Sequence, residues 1–246
     1  MALLKFLCFV LSAGLFMIHH QVASLFFKDE NKKLRYYLKS IRLTCLWGLK
    51  ILNVKVEMPT ASSSQRGQLL ISNHLSYVDI LVLFAHYPSL FVTSTEMRDV
   101  FFLGHLTKLA GCFFVERRKD RRSAFTTAEE LNAMKSKLLD GFNVFLFPEG
   151  TSSNGETVLP FKATFFQTSF DLSTAIKPMI LTYDQVSLIS WYGDMTFPGH
   201  LYKLCQQRGF TVRISNLEEI SPTKFKDKFE MANYSYQSMK EIYEAS

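Results

Sequence analysis

The sequence predicts an α/β fold: a largely parallel sheet flanked by helices, with an N-terminal membrane-associated helix pair in front of it. Three observations carry this. Short apolar runs alternate with helical patterns between residues 68 and 214, as strands joined by crossover helices do. No Lys, Arg, Asp or Glu occurs from Phe6 to Phe27. The charge excess follows directly: eight bases and only two acids fall between Lys28 and Lys55, so this segment holds the whole formal charge of +6.

Composition narrows the class. With 246 residues the chain can bury a sizeable core, as one large domain or two small ones. A hydrophobic content of 48% excludes disorder, and 20% charged residues exclude a multi-span transporter. Cys8, Cys45, Cys112 and Cys205 lie far apart without C-x-x-C spacing. That argues against a zinc site or a disulfide scaffold and fits a reducing compartment; no metal is expected. Nucleic-acid binding would spread bases over a folded face. An apolar stretch followed by a basic one points instead to a bilayer surface carrying anionic lipid.

Taken in order, residues 6–18 are nearly all apolar, His19, His20 and Gln21 interrupt, and residues 22–27 resume. A spanning helix needs about 20 apolar residues, so a tilted span and insertion into one leaflet both stay open. Lys5 is the only early base and no A-x-A follows Ile18, which argues against a cleaved signal peptide. Leu34, Tyr37, Leu38, Ile41, Cys45, Leu49 and Leu52 recur at helical spacing, with Arg35, Lys39, Arg42 and Lys50 mostly on the other side. The expectation is an amphipathic helix whose stripe meets lipid; the alternative is a stripe packed on the protein core. Basic residues place this segment on the cytoplasmic side. Residues 1–56 therefore read as membrane-anchoring helices and 57–246 as the domain that carries the chemistry. Residues 61–67 are a small polar connector. Strands are expected at 68–72, 90–93, 112–115, 143–147, 177–182 and 210–214, and helices at 78–86, about 123–140 and 165–172. Gly141 is a plausible stop for the second of these helices.

Three strand ends hold chemistry-bearing residues, where open α/β sheets place their sites. Asn73-His74-Leu75-Ser76-Tyr77-Val78-Asp79 follows a strand and opens a helix. Asp79 can fold back on one imidazole nitrogen of His74, fixing its tautomer and leaving the other as a base. Ser76-x-x-Asp79 is equally a capping box, in which the acid serves the helix start. Glu149, between Pro148 and Gly150 in Phe147-Pro148-Glu149-Gly150-Thr151, sits in a fixed turn where a carboxylate could hold a hydroxyl. The third end, Gly111-Cys112-Phe113-Phe114-Val115-Glu116-Arg117-Arg118, runs into five bases within six residues that could bind phosphate. Lys119, Arg121 and Arg122 read as a solvated loop.

Together these residues resemble the lysophospholipid acyltransferase family, which includes the 1-acylglycerol-3-phosphate acyltransferases. NHLSYVD is similar to its N-H-x4-D box, GCFFVER to G-x-x-F-x-x-R, FPEGT to F-P-E-G-T, and Pro178 to the proline of a fourth box; Phe161-Lys162 matches a following Phe-Lys pair. The resemblance implies transfer of an acyl group from acyl-CoA or acyl carrier protein to a lysolipid hydroxyl, with no cofactor beyond the donor. His74 would deprotonate the hydroxyl, Asp79 would orient His74, and no acyl-enzyme would form; the absence of G-x-S-x-G agrees. Asn73, Glu149, Gly150, Thr151 and Lys162 are the implied substrate contacts, with Arg117 on phosphate. The implied partners are the bilayer, the lysolipid and the thioester donor, at the cytoplasmic face of the inner or plasma membrane. Two departures bear on the acceptor. Ser152 follows FPEGT where many phosphatidate-forming members have Arg, and Ser94-Thr95 precede Glu96-Met97 where many carry Lys. FPEGTSS and Trp191-Tyr192-Gly193-Asp194 look like members that acylate lyso-ornithine lipid. The leading acceptor is 1-acyl-sn-glycerol-3-phosphate, giving phosphatidic acid; lyso-ornithine lipid or another lysophospholipid is the alternative, and thioester or ester hydrolysis a third reading.

Overall fold

The computed structural model describes residues 1–58, 66–98, 104, 107–108, 111–115 and 121–246. Two long helices lead: α1 (Ala2–Ser24) and α2 (Glu30–Leu52). Asp29 caps α2 by accepting the Lys32 N–H at 3.0 Å, and Asn53, at φ 56°, ends it in the left-handed conformation. The two run antiparallel: Gly48 lies under the Phe9 ring, and Tyr37 packs on His20 with ring centroids 4.1 Å apart.

The apolar stripe of α2 corrects the expectation of lipid contact. Leu34, Tyr37, Leu38, Ile41, Cys45, Leu49 and Leu52 are all buried in the common core, against α3 (Tyr77–His86) among other elements. The physical reason lies in the two patterns. α2 is two-faced, so its single stripe goes to the core. α1 is apolar all round, so burying Ala13, Phe16 and Ala23 still leaves Leu3, Leu4, Leu7, Leu11, Leu15, Ile18 and Val22 exposed. α1 is long and apolar enough to cross a membrane. Both ends of the hairpin are tied to the rest of the chain. Lys5 Nζ donates to the Gln207 carbonyl at 2.8 Å, and at the other end Arg35 and Asn31 donate to the Asp140 carbonyl and carboxylate at 2.8 and 3.0 Å.

The strands are β1 (Val54–Glu57), β2 (Leu69–Ser72), β3 (Leu90–Ser94), β4 (Phe113–Val115), β5 (Val144–Leu146), β6 (Ile176–Tyr183) and β7 (Phe210–Asn216). They form one sheet in the order β1-β7-β6-β2-β5-β3-β4, parallel except for the β6–β7 pair. β2 and β5 are buried at every residue, as expected of strands covered on both faces. Six strands fall where the sequence places them, and β1 is additional. The expected helices appear as α3, α4 (Arg121–Leu139) and α5 (Gln167–Leu172), the last preceded by a 3₁₀ turn at Ala163–Phe166. Gly141, at φ 78°, stops α4. Three further helices follow: α6 (Val186–Ile189), α7 (Phe197–Gln206) and α8 (Lys228–Glu244). Residues 61–65 of the polar connector lie outside the described residues. The carboxyl ends of β2 and β5 and the matching part of β6 open on one edge, which holds the site.

Candidate active site

The site grows out of the β2–α3 junction. Asn73, next after β2, pairs its side chain with the Leu181 backbone on β6: Nδ2 donates to the carbonyl at 3.0 Å and Oδ1 accepts the N–H at 2.8 Å. Asn73 is buried and acts as one more rung of the sheet. Ser76 then caps α3, accepting the Val78 N–H while Asp79 accepts the Ser76 N–H.

That cap brings Asp79 back beneath His74. Asp79 Oδ2 accepts three hydrogen bonds: from His74 Nδ1 at 2.9 Å, the Leu75 N–H at 2.7 Å and the Ser76 N–H at 2.9 Å. Its Oδ1 accepts the Tyr183 hydroxyl at 2.6 Å. The two roles left open for Asp79 therefore coexist, since the capping acid is also the partner of the imidazole. Four donors offset the cost of burying this carboxylate. The same geometry sets the tautomer: with Nδ1–H donated to Asp79, Nε2 is left as the accepting nitrogen. His74 lies flat on Phe147, with ring centroids 3.9 Å apart, and its side chain keeps 18% exposure.

Glu149 follows β5 and is 4% exposed. Its oxygens accept the His74 N–H at 2.7 Å and the Leu159 N–H at 2.9 Å. Burial outweighs the downward pull of the two backbone amides and holds its carboxyl up at about 8. The His74 carbonyl in turn accepts the Ser153 N–H at 2.9 Å, so the loop after β5 holds both backbone polar groups of His74. Glu149 thus clamps the His74 backbone, buried rather than turned outward. Gly150 needs its glycine: φ is 73°, and a Cβ would fall within 3.0 Å of the Lys162 stem. Thr151 and Lys162 are exposed, and the Lys162 backbone N–H closes the turn onto Pro148 at 2.8 Å. Gly150, Thr151 and Lys162 thus share the outer rim of the turn whose inner side holds Glu149. Arg117, with Arg118 and Lys119, lies outside the described residues.

The Trp191–Asp194 segment is stitched to both site loops. Its Trp191 N–H donates to the Leu75 carbonyl at 2.8 Å, and Ser152 Oγ donates to the Trp191 carbonyl. Three contributors are not apparent from the sequence: Phe147 as the floor under the imidazole, Tyr183 on Asp79, and Tyr243, whose hydroxyl donates to the Gly155 carbonyl at 2.7 Å. Phe147 and Tyr183 both sit at strand ends, and that position was the available signal.

Comparison with known proteins bears on the family and the fold. A family model described as Acyltransferase matches residues 53–182. The chain is 28% identical over 187 residues to a 1-acyl-sn-glycerol-3-phosphate acyltransferase of Neisseria meningitidis, covering 74% of this chain and 71% of that protein. It is 30% identical over 181 residues to a lyso-ornithine lipid O-acyltransferase of Brucella abortus, covering 67% and 66%. In fold it resembles the crystal structure of the 1-acyl-sn-glycerophosphate acyltransferase PlsC from Thermotoga maritima, with a TM-score of 0.72 at 20% identity over 99% of this chain and 95% of that one.

Proposed function

We infer the reaction from one premise and one geometry: the chain belongs to the Acyltransferase family and is an O-acyltransferase, and its partly exposed imidazole is backed by a buried acid. The proposed reaction moves a fatty acyl group from acyl-CoA or acyl carrier protein to the free hydroxyl of a lysolipid. His74 Nε2 takes the hydroxyl proton as the oxygen attacks the thioester carbonyl. The C–S bond then breaks, and the imidazolium returns its proton to the leaving thiolate. Oxygen ester and free thiol are the products, and no acyl-enzyme intervenes. General-base help of this kind contributes about 10²–10⁴-fold, and positioning of the two substrates supplies much of the rest. The observation that carries this reading is the His74 Nδ1–Asp79 contact at 2.9 Å.

The leading acceptor is 1-acyl-sn-glycerol-3-phosphate, with Thr151 and Lys162, exposed on the rim of the turn after β5, among the residues that would receive it. A second reading, lyso-ornithine lipid, is favoured by one observation: the residue after Thr151 is Ser152, and its hydroxyl is spent on the Trp191 carbonyl. The test is purified enzyme with acyl-CoA or acyl carrier protein and a panel of phosphate-bearing and zwitterionic lysolipids. Transfer is expected to one class and to be lost in His74→Ala. Full turnover in His74→Ala overturns the mechanism, and acyl release without any acceptor turns the assignment to a hydrolase.

The proposed workplace is the cytoplasmic face of a membrane, with α1 sunk into one leaflet. A spanning α1 would have to draw either Lys5 away from the Gln207 carbonyl or the tip of the hairpin, with Asn31 and Arg35 of α2, away from Asp140. Lys28, Lys32, Lys39 and Lys50 are exposed and suit anionic headgroups.

A further inference from the structure

The hydrogen-bond set on Asp79 divides unevenly. Oδ2 serves His74 and two backbone amides, whereas Oδ1 has a single donor among the described residues, the Tyr183 hydroxyl at 2.6 Å. Tyr183 ends β6 and is 6% exposed. Two residues earlier on the same strand, the Leu181 backbone holds the Asn73 amide. One strand end therefore grips both flanks of His74. Burial, and then the adjacent Asp79 carboxylate, hold the Tyr183 phenol protonated far above its usual range, so its role toward Asp79 is that of donor. Among the described residues, the other titratable groups that interact electrostatically with this cluster are Glu149, from the turn after β5, and Tyr243, from α8.

We propose that Tyr183 is a positioning residue of the acyl transfer, acting on His74 through Asp79. Its hydroxyl fixes the plane of the carboxylate so that Oδ2 faces His74 Nδ1. It also takes up part of the carboxylate's basicity, so that less of it bears on the imidazole. This rests on the general-base reading of His74. A tyrosine that only filled space would leave the titration of the pair unchanged when its hydroxyl is removed.

The experiment compares Tyr183→Phe with the parent enzyme in kcat, KM for donor and acceptor, and the pH profile of kcat/KM. Loss of a hydrogen bond to a charged group predicts a fall in kcat of about 10- to 100-fold, with each KM within about twofold. The acidic limb of the profile moves to higher pH, because a carboxylate that has lost a donor holds the imidazolium proton more tightly. Placing 3-fluorotyrosine at position 183 keeps the ring and strengthens the donor, so the limb moves the other way. If Tyr183→Phe does not fold, the fluorinated enzyme decides alone. An acidic limb that does not move overturns the proposal, whatever the change in kcat. His74→Ala separates the two ideas. Full activity there breaks the general-base reading, whereas an inactive His74→Ala with an unmoved limb breaks only the role of Tyr183.

Discussion

Asp79→Asn is the substitution for which the geometry makes the sharpest forecast. An amide offers one acceptor and one donor where the carboxylate offers two acceptors. The Leu75 and Ser76 N–H groups both point at the Oδ2 position, at 2.7 and 2.9 Å, so an NH₂ cannot sit there. The amide oxygen must take that place, and it still accepts His74 Nδ1–H. The NH₂ falls at the Oδ1 position, where the Tyr183 hydroxyl can rotate to accept from it. Tautomer and ring orientation are therefore retained, and only the charge that stabilises the imidazolium is lost. A hydrogen bond to a charged group contributes about 1.5–3 kcal/mol, which converts to a loss of about 10- to 150-fold in kcat. This lies well short of the roughly 10⁴-fold loss in the serine-protease triad, where the corresponding amide leaves the wrong tautomer. The assay is steady-state acyl transfer beside a thermal melt of each variant. A native-like melt with a kcat loss beyond about 10³-fold would refute the retained tautomer. Turnover within about twofold of the parent would show that Asp79 serves only as the cap of α3.

Two further outcomes follow from other parts of the molecule. The native Glu149 carboxyl sits near 8, against an ordinary value of 4.5, so the folded state binds more protons than the unfolded one between those limits. Its contribution to stability is full below 4.5 and is lost as pH rises through 8. Melting temperature should thus fall across that window and fall less steeply in Glu149→Gln; parallel slopes in calorimetry would contradict this. Leu11 and Leu15 are exposed on the outer side of α1. Replacing both with Ser should weaken co-sedimentation with anionic vesicles by about 100-fold or more, from roughly 1.5–3 kcal/mol per buried leucine, without changing turnover of detergent-dispersed substrate. Unchanged sedimentation would remove α1 from the membrane contact.

What the sequence disclosed and what it withheld have physical causes. Buried central strands such as β2 and β5 are short, unbroken apolar runs bounded by turn residues, and these can be read directly. β1 was hidden because Lys55 and Glu57 alternate with Val54 and Val56 at the sheet edge, where they look like the tail of the basic helix. α8 buries Met231, Ala232, Ser235, Met239 and Tyr243, a face with too little Leu and Ile to announce itself. At the site, His74 and Asp79 are five residues apart, and the turn that joins them is local, so their meeting was foreseeable. Asn73 and Glu149 were expected to touch substrate, but the polar atoms of both side chains are spent on backbone groups. Tyr183 is 104 residues from Asp79 in the chain, and only the placing of β6 beside β2 joins them. The α2 stripe shows the limit of periodicity, which says that a face is buried but not what covers it.

The hairpin of α1 and α2, fastened at its tip and at its open end, behaves as a keel rather than a mooring line. A moored catalyst could swing, and its reach would depend on rope length. A keeled one floats at a set draught, so on the proposed seating of α1 in one leaflet the height of the imidazole above the lipid would be built into the hull. Acceptors whose hydroxyl rides at that depth would be met where they lie, and discrimination among lipids could begin with how far each alcohol stands from the oil.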